Sequence, residues 1–386
     1  MTKENPVEIP KKEIIKVLQD LVRVESVNPP GLEKAMGDYI VNYMTQAGIP
    51  TETVYVQEGR FNVVSILKGR DSSDGIIFTG HMDVVPVSED ERERWNVGPF
   101  SGNIIGEYLY GRGSADMKGG LTCAMVAMKS LKEKNIVPEK DIALVATVDE
   151  ENLMLGSRAM IGNPLIRHCK SVVVCEPTSL KVCTASRGRT YATIHITGKT
   201  GHGSRPVVGQ NAIELSRFIM DRMACETFEE YASEKYGRSF WQPLSIHAGI
   251  QPCVIPDRCS MVVDARIVPG HMPGDVWQSM KNIFKEIKEE VPTFQAKIEL
   301  IDEREPWETP DDCDLMIKTR KVYKEHFCDF ETDVFTGTTD GTFLRRDGRE
   351  AIIAGPGDLN NVHQENEKVE LEELYQAFEI YMGFMI

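Results

Sequence analysis

The stretch "IIFTGHMDVVP", residues 76–86, begins as a strand made for a core and ends in chemistry. Three apolar residues, Ile76, Ile77 and Phe78, are followed within five positions by His81 and Asp83. In an extended chain, residues two apart point to the same side, so this imidazole and this carboxylate can face one common point. Other short apolar runs share this character: "NVVSIL", "DIALVATV", "SVVVCE" and "AIIAG" all read as buried strands. Between two of them, "LTCAMVAMKSLKEK" places Leu121, Ala124, Met125, Met128 and Leu131 on one helical face. Residues 12–24 and 35–47 give two further amphipathic helices. Such alternation predicts an α/β fold whose mostly parallel sheet carries helices on both faces.

From about residue 189 to 302 the rhythm changes. "RTYATIHITG", "LSIHAG", "CSMVVDARI" and "FQAKIELI" read as strands, with helices at "NAIELSRFIMDRM" and "GDVWQSMKNIFKEIKEEV". The order β-α-β-β-α-β is the split βαβ, ferredoxin-like α+β pattern. The expected division is therefore 1–188 with 303–386 as one domain and 189–302 as a second domain inserted into it. "DSSDG" and "VSEDERERW" read as solvated loops, and the acidic run "ENEKVELEELYQAF" as a solvated helix face.

The strand ends collect polar residues. Asp116 precedes the helix at 120–134, Glu150 and Glu151 close "DIALVATVDEE", Glu176 closes "SVVVCE", and His363 lies beyond "AIIAG". Open α/β sheets bind ligands outside the carboxyl ends of their strands, so this topology brings these residues to one rim. A strand-end His or Asp taken alone is more often a satisfied hydrogen-bonding group. Several carboxylates crowded together, however, repel one another unless a cation neutralises them. Histidine with carboxylate suits zinc, with cobalt or manganese as alternatives. The donors outnumber the needs of one four-coordinate ion, and a shared carboxylate would let them hold two. Of the adjacent pair Glu150–Glu151, one can ligate while the other acts as a base toward a metal-activated water. Asp83 fits a role holding the His81 imidazole in its ligating orientation.

Composition narrows the function classes. At 386 residues, with 41% hydrophobic and 27% charged residues, the chain has the make-up of a globular protein. A net charge of −15 argues against nucleic acid and anionic membranes as partners. The nine cysteines form no C-x-x-C pair, the N-terminal stretch has no apolar signal region, and no apolar run reaches bilayer length. A cytoplasmic protein with free thiols is the expectation.

"TGHMDVVP", "LYGRGSADMKGG", "TVDEE", "CEPT", "GHGSRP", "GTTDGTFL" and "GPGDLNNVHQENE" follow one another in order. In this ordered set the chain resembles the M20 family of metallopeptidases and deacylases, of the acetylornithine deacetylase and succinyl-diaminopimelate desuccinylase type. The resemblance implies that His81, Asp116 and Glu176 hold one divalent ion and Asp116, Glu151 and His363 a second, with Asp116 bridging. It implies Glu150 as general base, Asp83 as the residue orienting His81, and a cis peptide between Asp116 and Met117. It further implies a lid domain that forms a homodimer and a His202 that stabilises the oxyanion in a neighbouring subunit. Arg266, in "VDARIVPG", is similar to a family arginine that holds a substrate carboxylate. Two positions depart from the pattern: Cys253 stands where relatives often carry asparagine, and Ser186 precedes Arg187–Gly188 where the desuccinylase branch has a second arginine. The function so implied is hydrolysis of the amide bond of an N-acyl amino acid or short peptide. A dipeptidase or aminopeptidase using the same site is one alternative, and a metal-stabilised protein that only binds a small carboxylate is another.

Overall fold

The structure, a computed structural model, describes residues 7–326 and 332–386. Cys328 and the first six residues of the N-terminal stretch lie outside them. The chain divides into two compact units, one of Met1–Thr184, Thr309–Phe335 and Thr339–Ile386, the other of Ala185–Glu308 and Thr336–Thr338.

In the first unit the sheet runs in the order Thr51–Gln57, Arg60–Leu67, Lys140–Thr147, Asp71–His81, Cys169–Val174, Glu350–Ile353, Val182–Ser186. Its centre is parallel: Asp71–His81 pairs with Lys140–Thr147 on one side and Cys169–Val174 on the other, and Glu350–Ile353 continues in the same direction. The flanks are antiparallel. The continuous apolar runs follow from this placement, because central parallel strands are covered on both faces. Ile77, Phe78, Val145 and Val173 are fully buried.

Helix Gly119–Glu133 packs against the helices Lys11–Arg23 and Leu371–Met385. It approaches strand Cys169–Val174 so closely that a β-carbon on Gly120 would lie 2.0 Å from the carbonyl oxygen of Cys175. The glycines of "KGG" thus let backbone meet backbone beside the strand ends.

Two stretches read as solvated loops are largely solvated but carry regular structure. "DSSDG" is the opening of strand Asp71–His81, with Asp74 buried and bonded to Lys140 at 2.5 Å. "SEDERERW" contains the short helix Glu89–Arg92 and delivers Glu91 and Trp95 to Arg112. The C-terminal acidic run is a solvated face only in part, with Glu365 and Glu372 exposed. Glu367 is buried, and helix Leu371–Met385 buries Leu374, Phe378 and Tyr381.

The second unit has a four-stranded antiparallel sheet in the order Phe240–Ala248, Arg258–Ile267, Gly188–Thr197, Gln295–Arg304. Helices Ala212–Cys225 and Pro273–Glu290 pack on one another and on this sheet. Numbered along the chain, the strands lie 2-3-1-4, which is the ferredoxin-like arrangement of the split βαβ pattern. Gly188–Thr197 alternates buried and half-buried residues, turning Ala192, Ile194 and Ile196 into the core. The edge strand begins at Phe240, four residues before the "LSIHAG" read from sequence, and passes through Pro243 at a register shift. Proline at an edge bulge costs no ladder bond.

Candidate metal centre

The four parallel strands of the first unit end together, and each end supplies a site residue. His81 closes its strand opposite Thr147. Glu150 and Glu151 follow Thr147, Glu176 follows Val174, and His363 follows Ile353 across a loop. Asp116 arrives from the irregular segment Ser114–Lys118, where its backbone departs from helical geometry (φ −117°, ψ 97°) between left-handed Gly113 and the helix that starts at Gly119. The Asp116–Met117 peptide is cis.

Asp116 stands between the two imidazoles. Its Oδ1 lies 2.9 Å from His81 Nε2 and its Oδ2 lies 3.2 Å from His363 Nε2. Glu176 Oε1 is 3.7 Å from His81 Nε2, and Glu151 Oε1 is 3.0 Å from His363 Nε2. Single donor atoms of His81, Asp116 and Glu151 all fall within 4.8 Å of one another. His81, Asp116, Glu150 and Glu176 are buried, whereas His363 is half-exposed at the rim.

The electrostatics of this cluster test whether it fits cations. Burial pushes Glu176 well above the usual carboxylate range, and the charge of Asp116 pushes it further. Glu151 is raised by the same two causes. Burial would lower His81, but the charge of Glu176 and the bond to Asp116 outweigh it and hold the imidazole well above its ordinary value. His363 is pushed up to about 11: burial acts downward, and the bonds to Asp116 and Glu151 prevail. Asp116 is pulled down because its two histidine bonds overcome burial. These opposed shifts mark carboxylates crowded in a buried pocket, which added positive charge would relieve, and their donor atoms already converge, so the donor set fits divalent cations.

A surrounding framework that sequence motifs did not expose fixes the cluster. The carboxylate of Asp83 accepts from the main-chain N–H of Glu150 (3.2 Å) and Glu151 (3.1 Å) and from Asn28 Nδ2 (2.8 Å). It reaches His81 at 2.9 Å through its main-chain oxygen, its Oδ1 lying at 3.7 Å. Asp149, which precedes Glu150, has a left-handed backbone at φ 69°. A residue other than glycine in this region costs about 1–3 kcal/mol unless its surroundings hold it. Here Asn28 Nδ2 (3.0 Å) and Arg60 (2.8 Å) bond to its buried carboxylate, and Arg60 is itself paired with buried Glu33. Thr147 donates its hydroxyl to buried Asp340, from the "GTTDGTFL" motif. "NPPG" and "GTTDG" offered a signal for Asn28 and Asp340; nothing marked Glu33 or Arg60.

A sequence profile of peptidase family M20/M25/M40 matches residues 77–386. The chain belongs to this family. It is a metal-dependent hydrolase of the family's deacylase and peptidase type. An acetylornithine deacetylase of Aliivibrio fischeri is 29% identical over 344 residues, covering 85% of each chain. An M20 family metallo-carboxypeptidase of Sulfolobus solfataricus has the same fold, with a TM-score of 0.81 and 19% identity over 97% of this chain and 98% of that one. So does a dinuclear metal-binding M20 peptidase of Bacillus subtilis, with a TM-score of 0.72 and 14% identity over 97% and 99%. No helix among the described residues is long and apolar enough to cross a membrane.

His202 and Arg266 belong to the second unit. His202 lies on the two-residue strand Gly201–His202, paired with Val254–Ile255 beside exposed Cys253. Its Nδ1 accepts from the N–H of Ser204 at 3.2 Å, which leaves Nε2 as the protonated nitrogen of the neutral ring. Arg266 donates from Nε to Asp264 at 2.9 Å, and Asp264 also holds Arg189.

Proposed function

We propose that this M20 hydrolase uses two divalent ions to cleave the amide bond of an N-acyl amino acid, as a deacetylase or desuccinylase does. The observation that carries this reading is Asp116, whose two carboxylate oxygens each meet a different histidine. In this reading His81, Asp116 and Glu176 hold one ion and Asp116, Glu151 and His363 the other. The Bacillus subtilis neighbour described as dinuclear supports the count. Zinc is the ion we favour, with cobalt or manganese able to serve the same N/O donors.

Bound there, such ions polarise a substrate carbonyl and bring the acidity of a water close to neutrality. Glu150, next to a ligand in the chain, takes the water's proton and returns it to the leaving amine. Asp83 fixes the backbone of Glu150 and Glu151 by accepting from both their amides. His202 offers Nε2–H to the carbonyl oxygen in a neighbouring subunit's site as charge develops on it, and Arg266 a guanidinium to the substrate's free carboxylate. We assign the 189–302 region, seen as the unit Ala185–Glu308, the part of lid and dimer interface. Its edge strand Phe240–Ala248 exposes Phe240, Leu244 and Ile246, as an edge that pairs with a second copy does. Free thiols throughout the described residues suit a reducing cytoplasm.

A peptidase reading is supported by the metallo-carboxypeptidase neighbour, since such a substrate also ends in a carboxylate. Incubating cobalt-loaded protein with N-acetyl, N-succinyl and N-formyl amino acids and with dipeptides separates the two. We expect acylated amino acids to give the higher kcat/KM. A preference for free-amine dipeptides favours the peptidase, and turnover of neither class by metal-replete protein overturns both in favour of a protein that only binds.

A further inference from the structure

We propose that Glu367 is a positioning residue that sets where the Asp116 carboxylate stands; this rests on the reading of Asp116 and His363 as metal ligands. Glu367 is 1% exposed and lies four positions beyond His363. Its Oε1 accepts from the main-chain N–H groups of Gly113 (2.9 Å), Ala115 (3.2 Å) and Asp116 (3.2 Å). Its Oε2 accepts from Arg112 Nη1 at 2.9 Å. Arg112, also buried, donates to the main-chain oxygen of Gln364 (3.1 Å) and to Glu91 (2.6 Å), and lies over the ring of Trp95. Gly111 donates its N–H to the main-chain oxygen of Glu367 at 2.9 Å.

One buried carboxyl group therefore grips the segment that carries Asp116 and ties it to the segment that carries His363. The grip matters because Ser114–Lys118 departs from helical geometry at Asp116 and Met117. Ligands must be held within about half an ångström of their working positions, by partners that are themselves fixed. A carboxylate is suited to this task because it accepts several N–H bonds at once, and Arg112 balances its charge in the interior. A glutamine offers one acceptor oxygen and turns an amide N–H₂ toward either the backbone N–H groups or the guanidinium.

The test is cobalt titration, followed by absorbance and by elemental analysis, of the full-length wild type, Glu367→Gln, Glu367→Asp and Asp141→Asn. Asp141 is a buried, ion-paired carboxylate at the opposite end of its strand from Thr147 and controls for general destabilisation. We expect Glu367→Gln to weaken cobalt binding about 10–100-fold, the usual effect of losing a partner that orients a ligand. Glu367→Asp, which keeps the charge at shorter reach, should fall between it and the wild type, and Asp141→Asn should bind as the wild type does. Wild-type affinity in Glu367→Gln, or equal weakening in Asp141→Asn, overturns the inference. Failure of the wild type itself to take up cobalt is a different pattern and overturns the metal reading on which the inference rests. A second readout needs no variant: in metal-free wild type the amides of Gly113, Ala115 and Asp116 should exchange slowly with solvent. Exchange at the rate of an open loop overturns the assignment.

Discussion

Replacing Glu150 by glutamine is expected to lower kcat by about 10²–10⁴-fold while leaving cation content unchanged. The change keeps the shape but removes the negative charge and the ability to take and return a proton. Glu150 is buried at the strand-end turn, and its backbone N–H is fixed by Asp83 independently of its side chain. Its neighbour Glu151 faces His363. The loss corresponds to about 3–5 kcal/mol of transition-state stabilisation, at about 1.4 kcal/mol per tenfold. Steady-state kinetics on an N-acyl amino acid, with metal content measured on the same samples, check it. A loss under tenfold at full metal content would remove Glu150 from the role of base and point to another group.

Asp116→Ala is expected to have at least as large an effect, because in the proposed reading it removes a donor shared by both ions. Deleting this carboxylate removes the one group whose two oxygens meet both histidines. Charge stabilisation by metal is worth several kcal/mol, so kcat/KM should fall by more than about 10³-fold. Cation content should drop below that of Glu151→Ala, which removes a donor from one site only. Asp116→Asn separates bridging from hydrogen bonding: the amide keeps one acceptor oxygen and cannot serve two cations as an anion. Retention of full cation content by Asp116→Ala would show that the ions do not share it.

Much of this was legible in the sequence, for a physical reason. A parallel sheet puts the carboxyl ends of its strands on one edge, so residues that follow apolar runs converge wherever they fall in the chain. His81, Glu150, Glu151, Glu176 and His363 needed only that rule to be collected. Asp116 needed the glycine-rich turn and helix start around it. The framework behind them was not legible. Asn28 bonds to residues 55 and 121 positions away, Arg60 to one 89 away and Glu367 to amides more than 250 away. No local spacing reports such pairs. Glu367 was hidden further by neighbouring acids, which make the run look like a solvated face. The first four residues of the strand through Pro243 were missed because proline argues against a strand unless an edge and a bulge are known.

The central claim is that two cations share Asp116. Anomalous diffraction from crystals of the protein loaded with zinc tests it most directly. We expect two peaks about 3.5–4 Å apart, one beside His81 and Glu176, the other beside Glu151 and His363, with Asp116 reaching both. A single peak, or two that Asp116 does not join, would contradict it.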